Sequence, residues 1–194
     1  MTTLLPPVPL GDLSQPTVWV FLCGLNQDFN GEKATRSRTL LDALGKHDGF
    51  RFLALVPPAR SPQWGNRLCW PQETPALLDE TWAYINDHTR DITVAGYIGF
   101  SNGGFFLCAL SQHKLLPVPL VAIASGGIVK GTPAANRLVL LVDPSDQPYG
   151  DKAHDMLRSA KGTPLDVTLR TFEGGHILPP TLLAEQLIHL SSHA

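Results

Sequence analysis

The chain has 194 residues, of which 43% are hydrophobic and 16% are charged, a composition typical of a globular protein rather than a disordered one. The formal net charge of −2, with no clustered stripe of Lys and Arg, argues against nucleic acid or an anionic membrane surface as a partner. A chain of this length is expected to form a single domain, residues 1–194, with a sizeable core.

Residues 1–16 are interpreted as an N-terminal extension of that domain. The extension lacks a basic segment, and Pro6, Pro7 and Pro9 interrupt its apolar run, so no signal peptide is predicted. The longest apolar segment, residues 115–129, is too short to span a bilayer and contains two prolines. The expectation is a cytoplasmic protein without stable membrane insertion.

Short apolar runs then alternate with segments of helical period. The runs, which are rich in Val, Ile and Leu, are residues 17–24, 51–58, 92–100, 119–126, 137–143 and 166–172. The candidate helices lie near residues 33–46, 73–89, 103–114, 149–161 and 180–192. Continuously apolar strands that alternate with helices predict a parallel sheet covered on both faces. The link between the fourth and fifth runs is expected to lack a full helix.

The three cysteines show no metal-ligand spacing. The cysteines are Cys23, Cys69 and Cys108, of which Cys23 lies in an apolar strand pattern and Cys108 in an apolar helix pattern. Buried free thiols are therefore favoured over a disulfide. The sequence predicts neither a metal site nor a cofactor.

The third run ends in Gly99-Phe100-Ser101-Asn102-Gly103, where a helix pattern begins. Gly-x-Ser-x-Gly between a strand and a helix is the pattern of a nucleophile elbow, whose sharp turn needs very small residues two places before and after the serine. Such a turn places the hydroxyl beyond the carboxyl ends of the strands, where open α/β sheets bind ligands. An ordinary glycine-rich turn is the alternative, while the glycine spacing does not fit a dinucleotide-binding loop.

A catalytic serine needs a base and an acid, which follow it in the chain in this kind of fold. His176 comes directly after the last strand between two glycines and a helix, so it is the candidate base. The alternative for His176 is a loop histidine that caps the last helix. Asp146 lies a few residues past the fifth strand and is favoured as the acid. Asp143, which ends that strand, remains an alternative, with a turn-initiating role as its other interpretation.

An oxyanion hole requires two backbone donors. Asn102, the residue after Ser101, is predicted to provide one N–H, and Leu25, in the loop after the first parallel strand, the other. The segment 57–74 follows another strand end and carries Trp64 and Trp70. These two side chains are candidates for an apolar substrate pocket, and the alternative is that they pack beneath the loop.

With these residues in place, the chain resembles the α/β-hydrolase superfamily, and most of all its small phospholipase/carboxylesterase group of acyl-protein thioesterase-like and dienelactone-hydrolase-like enzymes. The resemblance runs from about residue 17 to the end and rests on five short motifs. They are Cys23-Gly24-Leu25-Asn26, Gly99-Phe100-Ser101-Asn102-Gly103-Gly104, Ser125-Gly126-Gly127, Asp143-Pro144-Ser145-Asp146 and Gly174-Gly175-His176. The ungapped match of the fourth motif supports Asp146 as the acid.

The chain departs from the family pattern at three points. Cys23 stands where a histidine is usual, Asp143 stands where a glycine is usual, and the chain is short. The short length is expected to leave no room for leading antiparallel strands or for a large lid. A serine in place of a cysteine at the elbow argues against dienelactone hydrolysis.

The resemblance implies a minimal α/β-hydrolase fold of six mostly parallel strands with helices on both faces and no large lid. It implies a serine hydrolase that cleaves short-to-medium acyl esters through a Ser101–Asp146–His176 triad and an acyl-enzyme, with a small-molecule ester as its partner. Thioesters and lysophospholipids are further candidate substrates. A non-catalytic binding protein and an acyl transferase on the same scaffold are the alternatives. The acyl chain length and the oligomeric state stay open.

Overall fold

The computed structural model describes residues 6–27 and 32–192, except for the side chains of residues 32–34 and 64. The strands are β1 (Val8–Gly11), β2 (Thr17–Leu22), β3 (Arg51–Leu55), β4 (Ala59–Ser61), β5 (Arg67–Cys69), β6 (Thr93–Phe100), β7 (Leu120–Ile123), β8 (Arg137–Val142) and β9 (Asp166–Thr171). The helices are α1 (Glu32–Asp48), α2 (Pro75–Thr89), α3 (Asn102–His113), α4 (Tyr149–Ala160) and α5 (Pro180–Ser191). All six predicted strands and all five predicted helices are present.

The central sheet has seven strands in the order β1-β3-β2-β6-β7-β8-β9. Six of them are parallel, and β1 alone pairs antiparallel, with β3. The predicted parallel α/β sheet is confirmed. Because all six parallel strands run in one direction, the loops that leave their carboxyl ends emerge at the same edge of the sheet.

Strand β1 corrects the expectation that the chain has no room for leading antiparallel strands. Val8 and Leu10 face Ala54 and Phe52 across the pair. Proline lacks an N–H, but an edge strand tolerates Pro9 on the side that has no neighbouring strand. Helix α1 secures the end of β1, since the Gly11 N–H donates to Asp42 Oδ1 over 3.0 Å.

The segment 57–74, predicted as a loop, contains a small antiparallel hairpin of β4 and β5. Its turn includes Gly65 and Asn66, which both have positive φ angles, of 64° and 60°. The strands are short and polar, so they lack the apolar alternation that identifies a strand in sequence. The hairpin contacts the loop after β2, because the Asn26 N–H donates to the Leu68 carbonyl over 2.8 Å.

Two buried layers cover the faces of the sheet. Helices α1 and α5 pack on one face through Leu41, Leu183 and Leu187, against Phe21 and Phe52 of the strands. On the other face α2, α3 and α4 pack through side chains that include Ile85, Leu107 and Met156. Fully burying one such apolar side chain stabilises a fold by roughly 1.5–3 kcal/mol, so these layers hold the strand ends in place.

Among the described residues, the link between β7 and β8 contains no helix, as predicted. All three cysteines are buried and free, also as predicted, and burial raises the pKa of the Cys108 thiol to about 12. No helix in the described part of the chain has the length and hydropathy needed to cross a bilayer.

Candidate active site

Loops from four strands bring the candidate residues to one edge of the sheet. Leu25 follows β2, Ser101 follows β6, Asp146 lies beyond β8, and His176 follows β9. A cleft of about 610 Å³ opens at this edge, and Leu25, Ser101 and His176 all line it. Residues far apart in the sequence therefore share one cavity.

Ser101 occupies a sharp turn between β6 and α3. Its backbone has a φ of 52° and a ψ of −113°, a combination that costs a non-glycine residue about 1–3 kcal/mol. Two hydrogen bonds hold the turn, since the Ser101 N–H donates to the Ile123 carbonyl over 2.8 Å and the Ser101 carbonyl accepts from the Phe105 N–H over 2.9 Å. The strand before the turn and the helix after it maintain this strained conformation.

The glycines on either side of Ser101 are required by close backbone contacts. A Cβ atom added to Gly99 would lie 2.4 Å from the Gly103 carbonyl oxygen. A Cβ atom added to Gly103 would lie 2.3 Å from the Leu22 carbonyl oxygen of β2. Both distances are far shorter than a van der Waals contact, so a larger residue at either position would displace the backbone of the turn.

The His176 ring is held by a hydrogen bond and by two aromatic rings. Its Nδ1 lies 2.8 Å from Asp146 Oδ2. An ionised carboxylate can only accept a hydrogen bond, so Nδ1 carries the proton and Nε2 keeps its lone pair. The imidazole packs between Tyr149, with ring centres 4.5 Å apart, and Phe100, at 5.1 Å. Asp146 therefore selects the tautomer, and the rings fix the orientation.

Asp143 makes a different set of contacts. Its Oδ1 accepts from the Ser145 N–H and hydroxyl, both over 2.7 Å. Its Oδ2 accepts from the backbone N–H groups of Gly174 and Gly175, over 2.8 and 2.7 Å. These contacts, with the Gly175 N–H bond the largest, hold the pKa of Asp143 well below its usual range. Asp143 thus joins the loop that carries Asp146 to the loop that carries His176.

Replacing Asp143 by Asn is expected to make the free energy of unfolding less sensitive to pH in the acid range. A carboxyl group whose pKa is lower in the folded than in the unfolded protein stabilises the fold at pH values above its unfolded-state pKa, which is near 4. This contribution is lost as the pH falls toward the folded-state pKa. Urea midpoints should therefore show Asp143→Asn less stable than wild type by a constant amount above about pH 5, with the gap narrowing below about pH 4.

The matched control for that experiment is Asp91→Asn, at an exposed position just before β6. Its midpoints should stay close to those of wild type over the same pH range. A gap for Asp143→Asn that is equally wide at pH 7 and pH 3 would contradict the role assigned to its ionised carboxylate.

Two backbone N–H groups in the loops around the serine are unpaired within the described part of the chain. Neither the Leu25 N–H nor the Asn102 N–H has a hydrogen-bond acceptor among the residues that the structure describes. Asn102 is the first residue of α3, where N–H groups are unpaired and the helix dipole is positive. The Gln27 side chain fixes the loop around Leu25 by accepting from the Gly24 N–H over 3.0 Å. Two such donors can stabilise a negatively charged oxygen.

The structure does not support the predicted contact between Trp70 and substrate. Trp70 is 1% exposed, lies in the core against Phe106, and is not among the residues that line the cleft. Its backbone N–H donates to Asn102 Oδ1 over 2.8 Å, and its indole Nε1–H donates to the Cys23 carbonyl over 2.7 Å. Trp70 therefore braces the two loops that carry the unpaired donors. The Trp64 side chain lies outside the described part of the structure.

Two residues of the site have no sequence motif that would have identified them. Tyr149 packs on His176 and lines the cleft, and its only signal is that it begins a helix shortly after Asp146. Gln27 acts by holding its own loop in place, and no sequence motif identifies it. Within residues 6–27 and 32–192, no group of three or more His, Cys, Asp or Glu side chains could hold a metal ion.

Comparison with known proteins identifies the fold. No model of a known protein family matches the chain, and no curated protein matches it in sequence. The structure is similar to a carboxylesterase from Mesorhizobium loti, with a TM-score of 0.71 and 15% identity over 97% of each chain. It is also similar to a Bacillus cereus carboxylesterase, with a TM-score of 0.64 and 12% identity over 100% of this chain and 96% of that one.

A third neighbour is α/β hydrolase domain-containing protein 10 from mouse, with a TM-score of 0.60 and 15% identity over 96% of this chain and 93% of the other. Identities this low establish the fold alone. The chain has the α/β-hydrolase fold, as the sequence resemblance predicted, with one leading antiparallel strand and no large lid among the described residues.

Proposed function

We propose that the protein is a serine hydrolase that cleaves carboxylic esters of short-to-medium acyl chains. The observation that carries the proposal is the hydrogen bond between His176 Nδ1 and Asp146, on the same cleft as a serine in a strained turn. The turn at Ser101 is then a nucleophile elbow, which exposes the hydroxyl to a bound acyl group. The similarity in fold to two carboxylesterases agrees with this chemistry.

In the first half-reaction Ser101 Oγ attacks the acyl carbonyl. His176 Nε2 accepts the hydroxyl proton, because Nδ1 already carries one, and later gives it to the departing alkoxide. Asp146 keeps the ring in this tautomer and stabilises the imidazolium that forms. The product of this step is an ester between the substrate acyl group and Ser101.

The tetrahedral intermediate places a negative charge on the former carbonyl oxygen. The N–H groups of Leu25 and Asn102 are the donors proposed for that oxygen, and the positive end of α3 adds to the field there. Loss of one such donor typically lowers kcat by about 10²- to 10³-fold. The brace from Trp70 to Cys23 and Asn102 would keep the two donors at a fixed separation.

In the second half-reaction a water molecule attacks the acyl-enzyme. His176 takes a proton from that water and returns it to Ser101 as the carboxylic acid leaves. The His176 side chain is 34% exposed, so bulk water reaches the ring directly. This access favours hydrolysis over acyl transfer to another alcohol.

The apolar part of the cleft lining suits the hydrocarbon part of an acyl chain. Leu40, Phe100, Ile177 and Leu178 supply apolar surface around the opening. Small ester substrates are therefore expected to bind, with thioesters and lysophospholipids as further candidates that share the acyl carbonyl.

A substrate panel tests the proposed function. The protein is expected to hydrolyse p-nitrophenyl acetate and butyrate to the free acid and more slowly the matching anilides, whose amine leaves less readily. Nitrophenol release can be followed by absorbance and the acid product by mass spectrometry. Release without free acid, in the presence of an added alcohol, would indicate an acyl transferase. Binding without turnover of any ester or thioester would indicate a non-catalytic binding protein.

A further inference from the structure

Two arginines line the same cleft from separate elements. Arg36 belongs to α1, and Arg67 belongs to β5 of the small hairpin. The other ionisable side chains among the described residues that line the cleft are His176 and Tyr149. None of these described residues carries a carboxylate. The described lining of the cleft therefore carries an excess of positive charge.

Neither guanidinium has a hydrogen-bond or ion-pair partner among the described residues. No described side chain forms an ion pair or hydrogen bond with Arg36 or Arg67. Other arginines have such partners: Arg90 pairs with Asp87 and Arg158 with Asp155. Both cleft arginines are exposed, so their donors are available to a ligand.

We propose that the cleft takes esters that carry a second, anionic group, a carboxylate or a phosphate, which Arg36 and Arg67 bind while Ser101 attacks the ester carbonyl. This inference rests on the proposed hydrolase function. A guanidinium presents paired N–H donors that match the oxygens of a carboxylate or phosphate, and two of them in one cleft attract anions from solution. The Leu40 and Ile177 side chains line the same cleft and can contact the methylene chain between the two groups.

The size of the effect is limited by the exposure of the arginines. Exposed ion pairs are screened by water and salt, so each arginine is expected to change substrate preference by about 1.5- to 5-fold. The preference should weaken as NaCl is raised to about 0.5 M, because added ions screen the attraction over a few ångströms.

The test compares mono-p-nitrophenyl adipate with p-nitrophenyl hexanoate, two esters of equal chain length of which only the first ends in a carboxylate. The measured quantity is the ratio of their kcat/KM values. Wild type should favour the adipate at low salt. Arg36→Gln and Arg67→Gln should each lower the ratio by about 1.5- to 5-fold, and the double variant should lower it further.

Arg38→Gln is the matched control, because it removes the same charge from the same helix at a residue that does not line the cleft. It should leave the ratio unchanged. A ratio that stays constant in both single variants and in the double variant would overturn the inference.

Inhibition distinguishes the two anions. Glutarate and methyl phosphate are compared at equal concentration as inhibitors of hexanoate hydrolysis, with the neutral glutaramide as reference. Stronger inhibition by glutarate assigns a carboxylate, and stronger inhibition by methyl phosphate assigns a phosphate; the double variant should lose either one. If neither glutarate nor methyl phosphate inhibits, the inference is overturned. Hydrolysis of p-nitrophenyl hexanoate in that case leaves the proposed hydrolase function intact. A wild-type protein that cleaves neither ester would refute both.

Discussion

Replacing Ser101 by Ala is expected to lower kcat for p-nitrophenyl butyrate by about 10⁴- to 10⁶-fold, with a folded protein. Alanine removes the attacking oxygen but leaves the Leu25 and Asn102 donors and the cleft in place. The small remaining rate would come from those donors and from substrate binding. Steady-state kinetics with purified protein, together with circular dichroism to establish the fold, measures both parts of this expectation.

Ser125→Ala provides a matched control. Ser125 follows the neighbouring strand β7, as Ser101 follows β6, but it is buried and does not line the cleft. This variant should keep turnover of p-nitrophenyl butyrate. Retained turnover by Ser101→Ala, instead, would contradict the role proposed for the hydroxyl at the turn.

The second large effect is expected at Asp146. Asp146→Asn should lower kcat about 10³- to 10⁴-fold, because an amide can donate to Nδ1 and so favour the wrong tautomer of His176. It also removes the negative charge that stabilises the imidazolium. KM should change little, since Asp146 accepts from the histidine and is not among the residues that line the cleft.

Asp143→Asn is the comparison that decides which carboxylate serves the histidine. Both oxygens of Asp143 are occupied by donors other than the imidazole, so its loss should loosen the loop and lower kcat much less than Asp146→Asn. The two variants have the same charge and nearly the same volume, and they are compared in one assay. A larger loss of kcat in Asp143→Asn would assign the triad acid to Asp143.

The strands and helices of the fold were predictable because their patterns are long and local. Most of the parallel strands are buried on both faces and read as continuous apolar runs, as in residues 137–142, whereas the edge strand β9 is mostly exposed. Strand ends then predicted which loops meet. Ser101, Asp146 and His176 each follow a strand end, so the sequence alone predicts that they lie at one edge of the sheet.

The features that the sequence missed depend on contacts between distant residues. Pro9 lies in a strand only because β1 is an edge strand next to β3. Trp70 appeared to be a pocket residue because it lies in a loop near a strand end, but its N–H reaches Asn102, 32 positions away. The positions of Arg36 and Arg67 on the cleft likewise follow from packing between elements, which no local pattern encodes.

The assignment of the triad acid to Asp143 or Asp146 also depends on contacts between distant residues. Both residues follow β8, and local sequence only favours one of them. The structure separates them by their partners, since one carboxylate accepts from two glycine N–H groups and the other from the His176 ring. Such partners depend on where the loop after β9 folds back, which is set by the whole sheet.

The central claim is that Ser101 is an activated nucleophile, and covalent labelling with a fluorophosphonate tests it most directly. Peptide mapping by mass spectrometry after labelling is expected to show one adduct, on Ser101, that is lost in Ser101→Ala and forms far more slowly in His176→Ala. No adduct on the wild-type protein, or an adduct on a different serine, would contradict the claim.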